Sequence, residues 1–206
     1  MVGLHKDTNE QKAKWNQRKT YESADGKPYK VEGDFGYFLI DGKDTNVFML
    51  LKDVYHLVSI TGFADDTFLF SPDINKTGGV VTAQNITDMV NEGRILCAPP
   101  KGSVVRLHGL GTFEVANNNE WDISPQEKLK EILELPNRAG NKETVSHRCR
   151  RIYHQYLEYP SERTREMLRE AYEAVPEHER MYLGDMDSKD SDYVRILYHP
   201  NKKRQV

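Results

Sequence analysis

Cysteine is almost absent from this 206-residue chain, which has only Cys97 and Cys149. One cross-link at most can form, so a disulfide framework is excluded, and usage this sparse predicts the reducing cytoplasm. Long apolar runs are missing too. No stretch approaches the about 18 residues that a membrane-spanning helix needs. Met1 to Thr20 contain no apolar core of the secretory-leader kind. Internal repeats are absent. So are Gly-x-x-x-x-Gly-Lys, Gly-x-Ser-x-Gly and Ser-x-x-Lys, so the commonest phosphate loop and two serine-nucleophile arrangements are excluded.

What is present is a polar but foldable composition: 37% hydrophobic, 30% charged and 10% aromatic, with eleven tyrosines. The aromatics are too many and too well spread for a disordered chain. Charge is unevenly placed. Residues 31–122 carry thirteen acidic against six basic residues, while residues 123–206 carry fifteen against sixteen. The acidic middle repels phosphates, so a nucleic-acid role is not expected. It would have to come from the ends, for example Lys202-Lys203-Arg204.

The spacing predicts an α+β fold in one compact domain. Residues 1–30 read as a polar arm, with a turn at Asp25-Gly26-Lys27-Pro28 and a single helical turn around Trp15. Residues 31–122 read as a mostly antiparallel sheet or small barrel. Its strands are the short apolar runs at 37–40, 47–51, 54–60 and 68–70, with a hairpin turn at Asp41-Gly42 and another hairpin joining 103–107 to 112–116. One helix interrupts them, capped by Thr82 and turning Ile86, Met89 and Val90 inward until Gly93. Residues 123–206 are helical first. Ser124-Pro125-Gln126-Glu127 is a capping box, and Pro136 ends that helix. Asn141 opens a second, with Val145, Cys149, Ile152 and Tyr156 on one stripe. Tyr159-Pro160 breaks it, Ser161 caps a third, and the two should form an antiparallel pair. Met181-Tyr182-Leu183 and Tyr193 to Tyr198 read as a late C-terminal strand pair.

An acidic run, Gly184 to Asp192, joins those last segments. Asp185, Asp187 and Asp190 could offer oxygens to a hard divalent cation: Mg²⁺, Mn²⁺ or Ca²⁺. Known contexts for such strings fit poorly. A calcium loop of the EF-hand type needs an oxygen ligand and then glycine where Lys189 and Asp190 stand. Tyr182 to Asp187 looks similar to the Asp-x-Asp of haloacid dehalogenase phosphatases, but that motif opens its fold and here nineteen residues follow Asp187. An ordinary Asp/Ser-rich turn, with side chains bonded to their own backbone, explains the same residues.

A second candidate lies on the helix after Asn141. His147, Arg151, His154 and Glu158 follow one another at i, i+4, i+7 and i+11, opposite the apolar stripe. Such a face could bind a phosphate or an acidic partner, or simply be solvated. His178-Glu179-Arg180-Met181-Tyr182 starts like a zinc-protease helix but puts tyrosine where the second histidine belongs. Two functions follow as expectations. The first is a binding or interaction protein without catalysis, acting through its surface or by self-association, with a protein partner or second copy and no cofactor. The second is a divalent-metal-dependent hydrolase or transferase centred on Asp185, Asp187 and Asp190.

Overall fold

The computed structural model describes residues 2–6, 21–22, 28–29, 37–71, 81–117, 123–184 and 188–202. The Asp25-Gly26-Lys27 turn, the helical turn around Trp15 and the tail beyond Lys202 lie outside them.

The fold is α+β. Its strands are β1 (Val2–Lys6), β2 (Tyr21–Glu22), β3 (Pro28–Tyr29), β4 (Tyr37–Leu51), β5 (Val54–Phe63), β6 (Phe68–Ser71), β7 (Ile95–Leu96), β8 (Val104–Leu107) and β9 (Gly111–Glu114). The helices are α1 (Ala83–Asn91), α2 (Pro125–Ala139), α3 (Val145–Glu158), α4 (Glu162–Ala174) and α5 (Ser191–Tyr198), with a 3-10 helix over Glu177–Tyr182. The main sheet has the order β1-β4-β5-β8-β9, with β6 also pairing β5 and β7 pairing β4. β5 and β8 run parallel, and the other described pairings are antiparallel.

β4 and β5 form a long hairpin because Lys52 and Asp53 both take the left-handed conformation (φ 49° and 62°) that a tight two-residue turn requires. The turn expected at Asp41-Gly42 does not form. Gly42 sits inside β4 opposite Phe63, where a Cβ would come within 2.7 Å of the Thr61 methyl. Close packing rather than chain reversal requires this glycine.

Among the described residues two apolar clusters form, and no residue belongs to both. The first joins Val47 and Met49 of β4, Val58 and Ile60 of β5, Phe68 and Phe70 of β6, Ile86, Met89 and Val90 of α1, and Ile132 and Leu135 of α2. The second joins Cys149 and Ile152 of α3, Leu168, Ala171 and Tyr172 of α4, and Tyr193, Ile196 and Leu197 of α5. Helix α2 therefore packs on the sheet, and α3 and α4 form the expected pair.

Capping is as the residue types imply at Thr82, Ser124 and Ser161. Three boundaries differ. Helix α2 continues through Pro136 to Ala139. The Pro136 Cδ lies close against Gly62, where a Cβ would come within 2.9 Å of it. Helix α3 starts after Thr144, not at Asn141. The expected C-terminal strand pair is replaced by the 3-10 helix and α5. Tyr193, Ile196 and Leu197 recur at helical spacing and bury one side of α5. A short aromatic and β-branched run does not distinguish strand from helix by itself.

Candidate functional site

Four charged residues of α2, Glu127, Glu131, Glu134 and Arg138, lie at i, i+4, i+7 and i+11 on one side of the helix, away from Ile132 and Leu135 in the core. All four reach the helical part of the chain. Glu127 Oε2 accepts the Glu177 amide at 2.6 Å. Glu131 Oε2 meets His178 Nε2 at 2.8 Å. Glu134 Oε2 accepts the Val145 amide at 3.1 Å. Arg138 donates to both oxygens of Glu179, at 2.7 and 2.5 Å. Beside them Lys130 donates to the Glu173 carbonyl at 3.3 Å. Two of these carboxylates thus satisfy the first amide of a helix in another part of the molecule. The 3-10 helix has no side-chain cap of its own, so Glu127 supplies one.

The centre of this seam is Glu131. Lys128 Nζ lies 2.8 and 2.9 Å from its two oxygens, and Thr45 donates to Oε1 at 2.6 Å. Burial pushes the Glu131 carboxyl up, but the hydrogen bonds from Lys128, Thr45 and His178 and the Lys128 charge together hold it below its ordinary value. Burial lowers the Arg138 pKa, and the Glu179 hydrogen bond and charge more than restore it, so this guanidinium stays charged.

Glu131, His178 and Glu179 offer ligand atoms within 4.8 Å of one another, the one such group among the described residues. Their surroundings favour an ion-pair lattice over a cation site. Each carboxylate already faces its own cation, Lys128 or Arg138, so the group is neutral as it stands. His178 Nδ1 is buried without a partner. A proton there would be an unsatisfied donor, which favours the tautomer whose Nε2–H donates to Glu131.

The residues singled out by spacing lie elsewhere. Asp185 and Asp187 fall outside the described residues. Asp190 precedes α5, and its Oδ2 accepts the Tyr172 hydroxyl at 2.6 Å. No Asp, Glu, His or Cys group of metal-binding geometry includes it among the described residues. On α3, Arg151 pairs with Glu143 at 2.8 Å, and Glu143, held low by that hydrogen bond, balances its charge. His147 lines an open cleft of about 400 Å³ with Arg138, Lys142 and Glu143. His154 meets the neighbouring Tyr153 ring edge-on at 5.7 Å. His147, Arg151 and His154 therefore share a helix face but converge on no common centre. Cys149 is fully buried, and burial pushes its thiol up to about 12, which makes it a packing residue.

Comparison with known families divides the chain at the same seam. Residues 31–141, more than half the chain, match the family described as Domain of unknown function (DUF7638). The chain belongs to the DUF7638 family. Residues 144–205 match a second family, Domain of unknown function (DUF7639). No curated protein and no solved structure matches the chain. The DUF7638 segment ends just after α2, and the DUF7639 segment starts at the cap of α3. Glu127, Glu131, Glu134 and Arg138 thus reach from one matched segment to the other.

The DUF7638 segment also carries the most exposed apolar feature of the described residues. The β8–β9 hairpin ends the sheet, and all four residues of β9 are exposed. Leu110 at the turn is 76% exposed, Phe113 50% and Val104 40%. Val115 donates to Ser103 across the hairpin, so the alternation of strand bonding leaves the N–H and C=O of Thr112 and Glu114 on the outer edge. Among the described residues no strand pairs with that edge.

Sequence reasoning missed the seam although its signal was available. The stripe on α2 has the same spacing as the one noticed on α3. What distinguishes them is that α2 alternates this stripe with a fully core-packed one, which leaves the charged side available to another element.

Proposed function

We propose that this DUF7638 protein is a non-catalytic binding protein that self-associates, with β9 pairing antiparallel to β9 of a second copy. The observation that supports this reading is the unpaired edge of β9, with Phe113 exposed at its middle. Unpaired edges are natural templates for strand addition. A two-fold axis at Phe113 sets Phe113 against its counterpart and Glu114 against Thr112, so no like charges meet. Aromatic residues are favoured in such contacts.

Light scattering after size exclusion tests this across a wide concentration range. The wild type should approach twice the monomer mass. Thr112→Pro removes an outward N–H without touching the β8 ladder, so it should stay monomeric while keeping a single cooperative thermal transition. A wild type that is monomeric throughout overturns self-association. Turnover of a phosphate ester with Mn²⁺ that Asp187→Asn abolishes would instead establish the metal-dependent hydrolase or transferase reading of Asp185, Asp187 and Asp190.

A further inference from the structure

The seam joins two cores that are otherwise separate. Among the described residues no residue is common to the two apolar clusters, and α3, α4 and α5 make at most slight backbone approach to the strands and helices of the sheet unit. The direct hydrogen bonds along the α2 stripe are polar or ionic: Glu127 to the Glu177 amide, Lys130 to the Glu173 carbonyl, Glu131 to His178, Glu134 to the Val145 amide, and Arg138 to Glu179. The covalent link is short and irregular. Residues 140–144 lie between α2 and α3, and Asn141 has φ 51°, a conformation that interrupts helical continuation.

Such a contact differs in kind from a core. Separating two apolar surfaces exposes them to water, whereas separating charged groups returns them to a solvent that binds them well. The net cost per contact is therefore small. Polar interfaces between units of one chain permit relative motion by default, and hinges of this kind sit in a few residues at element ends.

We propose that the chain consists of two rigid units hinged at residues 140–144, and that the α2 seam opens and closes while both cores stay folded. Opening would free the charged side of α2 and the 177–179 turn together, because the same contacts hold both. This inference does not depend on the self-association reading.

Two amides report the joint directly. The Val145 and Glu177 N–H groups donate across the seam to different carboxylates, and 32 residues separate them in sequence. Hydrogen exchange by NMR on the full chain should show both exchanging by one opening, faster than the core amides of Val58 and Leu168. Arg138→Gln touches neither amide directly, yet should speed both about tenfold, the scale of one charged hydrogen bond. Val58 and Leu168 should keep their protection. Arg138→Glu combined with Glu179→Arg should slow the seam amides again relative to Arg138→Glu alone. The Val58 and Leu168 amides check folding, and Glu131→Gln provides an independent second opening variant with the same expected pattern. Seam amides that exchange in the wild type only as slowly as the core amides would overturn the hinge. So would a response confined to one of the two amides, which would mean local fraying of a helix start.

Discussion

Removing Lys128 should change how the protein responds to acid as well as its stability. The Lys128 ammonium contacts both oxygens of Glu131 and the Thr45 hydroxyl, and its side chain is only 12% exposed. With that cation present, the Glu131 carboxyl titrates below its ordinary value of 4.5. A carboxyl whose pKa is lower in the folded chain stabilises the fold above its unfolded value. That contribution is lost as pH falls through the folded value. Lys128→Met keeps the aliphatic stem and deletes the charge. Glu131 then retains the Thr45 and His178 donors, but burial, already the largest influence on it, is opposed by less, so its pKa should rise. The variant should lose about 2 kcal/mol at pH 7, the scale of one charged hydrogen bond left unmade. For a chain of this length that is roughly 4–8 °C in melting temperature. The difference fades on acidification. Once Glu131 is protonated in both proteins, the missing cation matters little, and the difference should shrink as pH falls below 4.5 toward the lowered folded value. Urea denaturation from pH 7 to pH 3.5, read by circular dichroism, measures this. A difference that stays constant over that range would refute the assignment of Lys128 as the counter-charge of Glu131.

Two further perturbations test the packing that positions the seam. Gly62→Ala would place a Cβ 2.6 Å from Leu135 Cβ and 2.9 Å from Pro136 Cδ. It should destabilise by about 1–3 kcal/mol by forcing α2 off the sheet, and an unchanged denaturation midpoint would contradict that close approach. Tyr172→Phe deletes the hydroxyl that Asp190 accepts at 2.6 Å. It should cost about 1 kcal/mol and increase hydrogen exchange in the first turn of α5 more than in α3.

The legible parts of the fold are those whose signals are local. Thr82, Ser124 and Ser161 are N-caps because their hydroxyls accept amides three residues on, and each stands before an apolar period. The β8–β9 hairpin was marked by glycines with φ of 78° and 131° at Gly109 and Gly111. Tertiary effects were hidden. Pro136 is a helix stop in isolation, yet α2 runs through it, packed close against Gly62 far away in sequence. Gly42 looks like a turn residue, yet it lies opposite Phe63 in a continuous strand. At Ser124 the expected capping box is only half made. Its hydroxyl accepts the Glu127 amide, while the Glu127 carboxylate turns to Lys130 and the Glu177 amide. His178 could not be connected to Glu131 from sequence, since 47 positions separate them.

The charged stripe of α2 also bears on how such a chain can be divided or recombined. An apolar joint leaves a sticky surface when its counterpart is lost, and that surface invites aggregation. A row of three carboxylates and a guanidinium leaves a face that water accepts as readily as a neighbour does. The sheet unit with α2 could therefore stand without the helices that follow, or accept different ones, provided the newcomer brings amides and a carboxylate to the same four side chains. The stripe behaves as a socket, so fusion, truncation and exchange at residues 140–144 are changes this architecture can absorb.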